Sequence, residues 1–181
     1  VMFLAKEWTT KSIFAIYMEF MHWGAEQMSK IGIIGGSGLT ELESISVGHR
    51  EVVHTPYGAP SGTFLHGTLS GQDVVFLARH GYGHMIPPHR INYRANMWAL
   101  KQLGVEKILS IGAVGSITGL EPGRIAIPDQ IIDYTYSREH SFFREGDALL
   151  THLDFSEPYC PELRSLLLRA AKELCIEHAP S

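Results

Sequence analysis

The five residues 74–78 are all apolar, and the chain changes character immediately after them. A short apolar run bounded in this way favours a buried β-strand. The loop after it carries Arg79 and His80 and is interrupted by glycine and proline, which exclude regular pairing there. In α/β proteins, ligands bind in the crevice beyond the carboxyl ends of the strands. An arginine guanidinium and an imidazole at that place predict an anion-binding site.

Two other predicted strands also end in glycine turns. Residues 31–34 run into Gly35-Gly36-Ser37-Gly38, and residues 106–110 run into Ile111-Gly112-Ala113-Val114-Gly115-Ser116. Closely spaced glycines let backbone N–H groups approach an oxyanion, and the Ser37 hydroxyl adds a donor. Neither turn is a dinucleotide fingerprint or a P-loop, so each alone fits an empty tight turn equally well. If the strands are parallel, however, all three ends converge on a single anion.

Strands and helices alternate along the rest of the chain, which predicts an α/β fold. Further strands are predicted at 50–54, at 62–69 and, with a turn or bulge, at 125–133. Helices are predicted at 92–103, ending before Gly104, and at 161–176, where leucine and alanine form a continuous apolar stripe. Residues 135–152 are polar and are predicted to form a long functional loop. The pattern stops where another strand is due, so we expect an incomplete α/β domain.

Composition excludes several classes of protein. The formal net charge is −4, so there is no basic footprint for nucleic acid. No run approaches the about 20 apolar residues that a membrane span needs, and no membrane partner is predicted. The only cysteines, Cys160 and Cys175, lack metal-ligand spacing. They fit a reducing compartment, the cytoplasm, and are predicted to be small core residues.

Residues 1–27 differ from the rest of the chain, since they are rich in Met, Phe and Trp but also carry charges. They lack a basic segment followed by an apolar segment and a small-residue cleavage site, so they are not a signal peptide. Met28-Ser29-Lys30 then runs straight into a strand, as a natural N-terminus would. We expect residues 1–27 to lie outside the domain and residues 28–181 to form part of a single domain. An amphipathic helix that docks on a partner is the alternative for residues 1–27.

Three histidines come after the central strand and have to be tested as a metal set. His80 and His84 have the spacing of ligands on a helix, but glycines and prolines around them exclude a helix, and no Glu stands beside either. His84 and His89 are therefore predicted to make loop or subunit contacts, and no metal or other cofactor is predicted. No nucleophile is visible either, because neither Ser37 nor Ser116 lies in G-x-S-x-G. Such a site suits a reaction in which the bound anion itself attacks.

Four motifs occur in order and together resemble the trimeric purine nucleoside phosphorylase family, in its methylthioadenosine phosphorylase branch. They are the residues Ile-Gly-Ile-Ile-Gly-Gly-Ser-Gly-Leu at 31–39, Thr-Pro-Tyr-Gly-Ala-Pro-Ser at 55–61, Leu-Ala-Arg-His-Gly at 77–81 and Pro-Pro-His-Arg-Ile-Asn-Tyr-Arg-Ala-Asn at 87–96. Asp133-Tyr134-Thr135, Arg138-Glu139-His140 and residues 151–159 resemble most the bacterial methylthioinosine phosphorylases within that branch. The likeness extends from about Lys30 to the end of the chain.

This resemblance implies a twisted, mostly parallel or mixed sheet flanked by helices, in a homotrimer. It implies cleavage of a purine nucleoside by inorganic phosphate, a co-substrate, into free purine and a ribose 1-phosphate, as in purine salvage. By resemblance, Ser37, Arg79, His80 and the backbone of Gly112 and Ala113 bind phosphate. His152 is implied to reach toward the 5′ group of a substrate held by a neighbouring subunit.

One departure limits what the resemblance implies. The family's sugar-binding methionine, its neighbouring threonine and the aspartate loop that protonates the purine lie in the C-terminal part, and no segment here matches them. No catalytic residue is therefore assigned, and the preferred purine stays open. The alternative to an active enzyme is an inactive truncated fragment that at most binds phosphate. A third hypothesis, a nucleotide-dependent oxidoreductase, is supported only by the glycine turns. The sequence lacks, in the right context, the acidic residue that would bind the ribose of the nucleotide.

Overall fold

A computed structural model of the chain describes residues 2–5, 30–36, 45–117, 121–143, 152–176 and 178. Within these ranges the strands are β1 (Met2–Ala5), β2 (Ile31–Gly35), β3 (Ser46–Glu51), β4 (Phe64–Leu69), β5 (Gln72–Ala78), β6 (Lys107–Val114) and β7 (Ile125–Ala126). The helices are α1 (Tyr93–Gln102) and α2 (Pro161–Glu173), and a single 3₁₀ turn spans Pro88–Arg90. Neither helix in this part of the chain is long and apolar enough to cross a membrane.

The seven strands form one mixed sheet in the order β3-β4-β5-β2-β6-β1-β7. The central strand β2 pairs in parallel with both β5 and β6, so Gly35 stands opposite Ala78 and Ile34 opposite Ser110. On one side of this parallel centre, β4 and β3 continue the sheet as antiparallel strands. The carboxyl ends of β2 and β5 therefore lie side by side, next to the middle of β6, where the sequence predicts the anion site.

Each face of the sheet is covered by one of the described helices. On one face, Ile33 and Phe76 pack in a cluster with Leu167 and Ala171 of α2. On the other, Ile34 and Leu77 pack with Ala99 and Leu100 of α1. Successive residues of β2 thus point to opposite faces, and both faces are buried. This explains why the predicted strands of the centre read as continuous apolar runs.

Most predicted elements are confirmed, but several boundaries are wrong. β6 extends through residues 111–114, predicted as a turn, because β1 pairs with them in parallel and gives their backbone groups partners. The strand predicted at 50–54 is displaced toward the N-terminus, at Ser46–Glu51. The region 125–133 forms only the two-residue strand β7, and residues 127–133 are irregular. α2 ends before residue 176, at Glu173.

Of the stretch 1–27, the structure describes only β1, and β1 lies between β6 and β7 in the sheet. These four residues contact the domain rather than standing apart from it, while the boundary at residue 28 stays a prediction. The prediction that both cysteines are core residues is wrong, since Cys160 and Cys175 are free and exposed. Cys160 directly precedes the first turn of α2, and Cys175 lies just beyond its last turn in a left-handed conformation with φ 51°. Both therefore lie at the ends of the helix, away from its buried stripe.

Candidate functional site

Arg79 lies where β2 and β5 end, beside the middle of β6. Its backbone N–H donates to the carbonyl of Gly35 at 2.8 Å, which ties the end of β5 to the end of β2. Its guanidinium lies against Gly36, directly after β2, and against Gly112 of β6. A Cβ built on Gly112 would lie 2.8 Å from Nη2, and one built on Gly36 would overlap the same nitrogen and lie 2.9 Å from the carbonyl oxygen of Ile111. The glycines at 36 and 112 thus leave the space that the guanidinium occupies.

The Arg79 cation has no anionic partner in the described ranges. The ion pairs found there involve other residues, and none reaches this guanidinium. Burial lowers the pKa of Arg79, and the phenol of Tyr93 acts in the opposite sense. An arginine nevertheless stays protonated in a protein. A half-buried positive charge without a counter-charge favours an anion in the space beside it.

His80 is held in one orientation next to Arg79. Its side chain is buried, and Nδ1 lies 2.8 Å from the carbonyl oxygen of Ile86. Since a carbonyl oxygen only accepts, Nδ1 carries the hydrogen and Nε2 is left for another partner. The ring also contacts that of His84, with centroids 4.4 Å apart. Nε2 can thus accept from a protonated phosphate oxygen or, when the ring is charged, donate to a bare one.

Two clefts meet at Arg79 and Tyr93. The first, of about 490 Å³, is lined by Arg79, His80 and Ala113 together with the loop after β5. The second, of about 400 Å³, is mainly apolar and lies between the sheet and α2, lined among others by Leu109 and Leu167. Although the apolar cleft is the better enclosed, the cation and the imidazole meet only in the first. A polar cleft beside an apolar one can hold a phosphate next to a less polar organic group.

The apolar cleft contains two buried polar atoms that sequence reasoning missed. The hydroxyl of Tyr159 and Nη2 of Arg164 are buried without a hydrogen-bond partner in the described ranges. Burial raises the pKa of Tyr159. Arg164 lies 3.9 Å from Asp129 through that nitrogen, and its Nε donates to the carbonyl of Pro128 at 3.3 Å. Tyr159 lies in the stretch 151–159 that carries the family resemblance, so a sequence signal for it exists. Arg164 has no such signal, because its position in the sequence looks like that of any exposed helix residue.

Two asparagines of the motif at 87–96 attach the loop at 55–61 to α1. Asn96 is buried; its Oδ1 accepts from the N–H of Ser61 at 2.8 Å, and its Nδ2 donates to that hydroxyl at 2.9 Å. Asn92 accepts from the N–H of Ala95 at the start of α1 and donates to the carbonyl of Tyr57 at 2.7 Å. Two of the resembling motifs are therefore a single hydrogen-bonded unit beside the site.

The structure brings most of the predicted site residues together. Arg79, His80 and Ala113 line one cleft, and Gly112 lies beneath the guanidinium. Ser37 lies outside the described residues. His152 is exposed and lines neither cleft. The geometry therefore unites four of the six predicted residues, and their ligand stays a prediction.

The model of the phosphorylase superfamily matches residues 30–180 of the chain. The chain belongs to this family. The match covers the sheet from β2 onward, both helices and every residue of the two clefts. The fold is accordingly the mixed sheet flanked by helices that the resemblance implies.

Three similar proteins indicate the branch. A "Probable 6-oxopurine nucleoside phosphorylase" of Dictyoglomus turgidum is 50% identical over 152 residues, covering 83% of this chain and 57% of its own. A "Probable S-methyl-5'-thioinosine phosphorylase" of Pseudomonas syringae pv. tomato is 48% identical over 150 residues, covering 82% and 61%. The structure of methylthioadenosine phosphorylase from Schistosoma mansoni in complex with adenine superposes with a TM-score of 0.75 at 41% identity, covering 80% of this chain and 54% of that one. The chain thus spans between half and two thirds of each of these relatives.

Proposed function

We propose that this chain carries the phosphate half of the active site of a purine nucleoside phosphorylase acting on 5′-methylthioinosine or 5′-methylthioadenosine. The observation that carries the proposal is Arg79: a half-buried cation without an anionic partner among the described residues, whose guanidinium lies against Gly36 and Gly112. The names of similar proteins, which include methylthioinosine and methylthioadenosine phosphorylases, support the substrate class.

The chemistry depends on holding a phosphate in this position. A phosphate oxygen attacks C1′ of the sugar as the bond from C1′ to the purine nitrogen breaks, and the purine leaves with the electron pair and takes up a proton. The sugar passes through an oxocarbenium-like state, which a fixed anion stabilises. Positioning and electrostatic stabilisation supply the rate, so no protein nucleophile is needed. The products are a free purine and methylthioribose 1-phosphate.

The test is to incubate the protein with methylthioinosine, methylthioadenosine and inosine, each with and without phosphate, and to measure free base. We expect base release that depends on phosphate and is faster for a methylthio substrate than for inosine. Base release indifferent to phosphate would contradict phosphorolysis and favour hydrolysis.

A second candidate is a chain that binds phosphate without turnover. It is favoured by length, because the chain covers only 57% and 61% of the Dictyoglomus turgidum and Pseudomonas syringae proteins. Assaying the 181-residue chain itself separates the two candidates. A rise in melting temperature with phosphate, without release of base, would favour the second candidate.

We further propose a cytoplasmic homotrimer in which His152 approaches a neighbouring subunit's substrate. In support, several large apolar side chains around His152 and in the loop after β7 are exposed, including Ile132 at 76%, Tyr134 at 86% and Leu153 at 77%. Such a concentration of exposed apolar surface is typical of an interface. Light scattering should give the mass of a trimer; a monomer at micromolar concentration would contradict this arrangement.

A further inference from the structure

Three side chains of metal-binding type meet on the two outer antiparallel strands, away from the site of Arg79. His49 of β3 and His66 of β4 are direct partners across the strands, and Glu51 lies two residues after His49. Side chains alternate along a strand, so residues 49 and 51 lie on the same face. The pairing register shifts between Val47 and His49, and this irregularity sets which residues reach that face.

The distances match one coordination sphere closely. Nε2 of His66 lies 3.0 Å from Oε2 of Glu51, and Nε2 of His49 lies 3.9 Å from the same oxygen. The three ligand atoms all lie within 4.8 Å of one another. Two ligands at about 2.0–2.2 Å from a tetrahedral Zn²⁺ are about 3.3–3.6 Å apart. Only His49 has to move closer, and its side chain is 65% exposed and so free to rotate.

The contact between His66 and Glu51 is short, but it is poorly aligned for a hydrogen bond. Nε2 of His66 is buried and, despite its closeness to Glu51, has no hydrogen-bond partner of acceptable geometry in the described ranges. The imidazoles of His49 and His66 instead stack with centroids 4.4 Å apart and planes 5° apart. A metal ion between the two residues would use the lone pair of that nitrogen and the charge of the carboxylate.

Two charged groups near His66 act on a cation bound there. The Lys30 ammonium, which donates to the carbonyl of Leu103 at 2.9 Å, opposes a second cation nearby. The Glu51 carboxylate offsets it.

We propose that His49, Glu51 and His66 bind a divalent first-row transition-metal ion, best matched by Zn²⁺. Two imidazoles and one carboxylate suit such ions rather than Mg²⁺ or Ca²⁺, and three protein ligands leave one position for water. The ion ties β3 to β4 at the outer edge of the sheet. Since β4 lies between β3 and β5, whose end carries Arg79, this site is separate from the phosphate cleft and independent of the proposed function.

The test is equilibrium dialysis of the chain against Zn²⁺, with Co²⁺ absorption as a second readout. We expect one ion per chain, and a loss of affinity of more than about tenfold in His49→Ala and in Glu51→Gln, since even changes outside the ligand shell cost 10- to 100-fold. His54→Ala, an exposed histidine outside the cluster, is the matched control and should bind normally. Lys30→Gln should bind more tightly, because it removes the opposing cation.

Two results would overturn the proposal. One is Zn²⁺ affinity unchanged in both ligand variants. The other, which needs no variant to fold, is a Co²⁺ spectrum of the unmodified chain showing only the weak absorption of the hexaaqua ion. Strong visible bands, lost in His49→Ala, would support the site.

Discussion

Arg79 is the residue on which the candidate site depends, because its guanidinium lies in space left by Gly36 and Gly112. The same geometry predicts different effects of a substitution at each of the two glycines. At Gly112 an added methyl group would meet only the flexible end of the arginine, whereas at Gly36 it would also meet the carbonyl oxygen of Ile111. Substitutions here separate effects on the ligand from effects on the fold.

Replacing the cation should weaken phosphate binding directly. In Arg79→Ala we expect the apparent phosphate affinity to fall about 10- to 100-fold, the range for losing a hydrogen bond to a charged group. The exposed Arg90 in the same loop provides the matched control, Arg90→Ala, which should bind phosphate normally. Calorimetric titration with phosphate measures both, and equal affinities in the two variants would refute the assigned role of Arg79.

The glycines beneath the guanidinium make a second prediction. Gly112→Ala should displace the Arg79 side chain and weaken phosphate binding, with little loss of stability, whereas Gly36→Ala should also lower the melting temperature because backbone must shift. Gly115→Ala is the control, since a Cβ there has nothing within 4 Å. A Gly112→Ala protein that binds phosphate as tightly as the Gly115→Ala protein would contradict this contact.

Asn96 shows how one buried side chain joins two elements. Asn96→Ala would leave the N–H and the hydroxyl of Ser61 without their partner, and Ser61 is buried. We expect a loss of about 1–3 kcal/mol in the free energy of unfolding. Gln102→Ala, at the exposed end of α1, should cost less than half of that. Chemical denaturation measures both variants, and equal losses would show that the contact is dispensable.

At the scale of elements, β1 is the strand that pairs with the second half of β6. β2 pairs with residues 107–110 of that strand and β1 with residues 111–114, so two different neighbours divide its length. β7 pairs with β1 at the outside of the sheet through two residues in antiparallel register, and its Ile125 also forms a bridge with His178.

Removing residues 1–27 tests this arrangement and the predicted boundary together. The shortened chain loses the partner of residues 111–114, and we expect it to lose about 1–3 kcal/mol of stability from the missing ladder hydrogen bonds. Leu4→Pro, which removes one backbone donor, should reproduce part of the loss. If instead both variants melt like the original chain, residues 1–27 lie functionally outside the domain, as the sequence predicts.

For the whole molecule, ligand binding and stability are linked. Because the half-buried Arg79 has no anionic partner among the described residues, the chain should be stabilised by an anion that binds only the folded state. At phosphate 100-fold above its Kd, we expect a gain of about 2.7 kcal/mol, or a rise of about 5–10 °C in melting temperature for a chain of this size. Chloride at equal ionic strength is the control, and an equal rise with chloride would indicate screening rather than a phosphate site.

How much could be predicted differs from element to element. The parallel centre of the sheet was predictable because β2, β5 and β6 are buried on both faces and so appear as unbroken apolar runs. α2 was predictable from its stripe, although its last turn was not, because Leu174 and Cys175 leave the helix without a glycine to mark the end. Whether residues 111–114 form a strand depends on pairing with β1, which is distant in sequence, so no local pattern predicts it.

The candidate site and the metal cluster also differ in how far the sequence could predict them. Arg79 and His80 were predictable because a cationic loop directly follows an apolar run, and Asn92 and Asn96 stood in a recognisable motif. The sequence directed attention to His80, His84 and His89, yet the cluster in the described ranges is formed by His49, Glu51 and His66. Those residues come from two strands whose register is shifted by an irregularity, and register is a tertiary property.

By itself, the sequence determined the α/β class and the family and predicted an anion site at the ends of β2 and β5, because apolar runs, glycine turns and motif order are local features of the chain. Only the tertiary structure decided that Arg79 has no anionic partner in the described ranges and that its guanidinium lies against Gly36 and Gly112. It also decided that β1 borders β6 and that two histidines face one carboxylate. Each of these is a distance between residues far apart in the chain, and packing rather than local preference sets such distances.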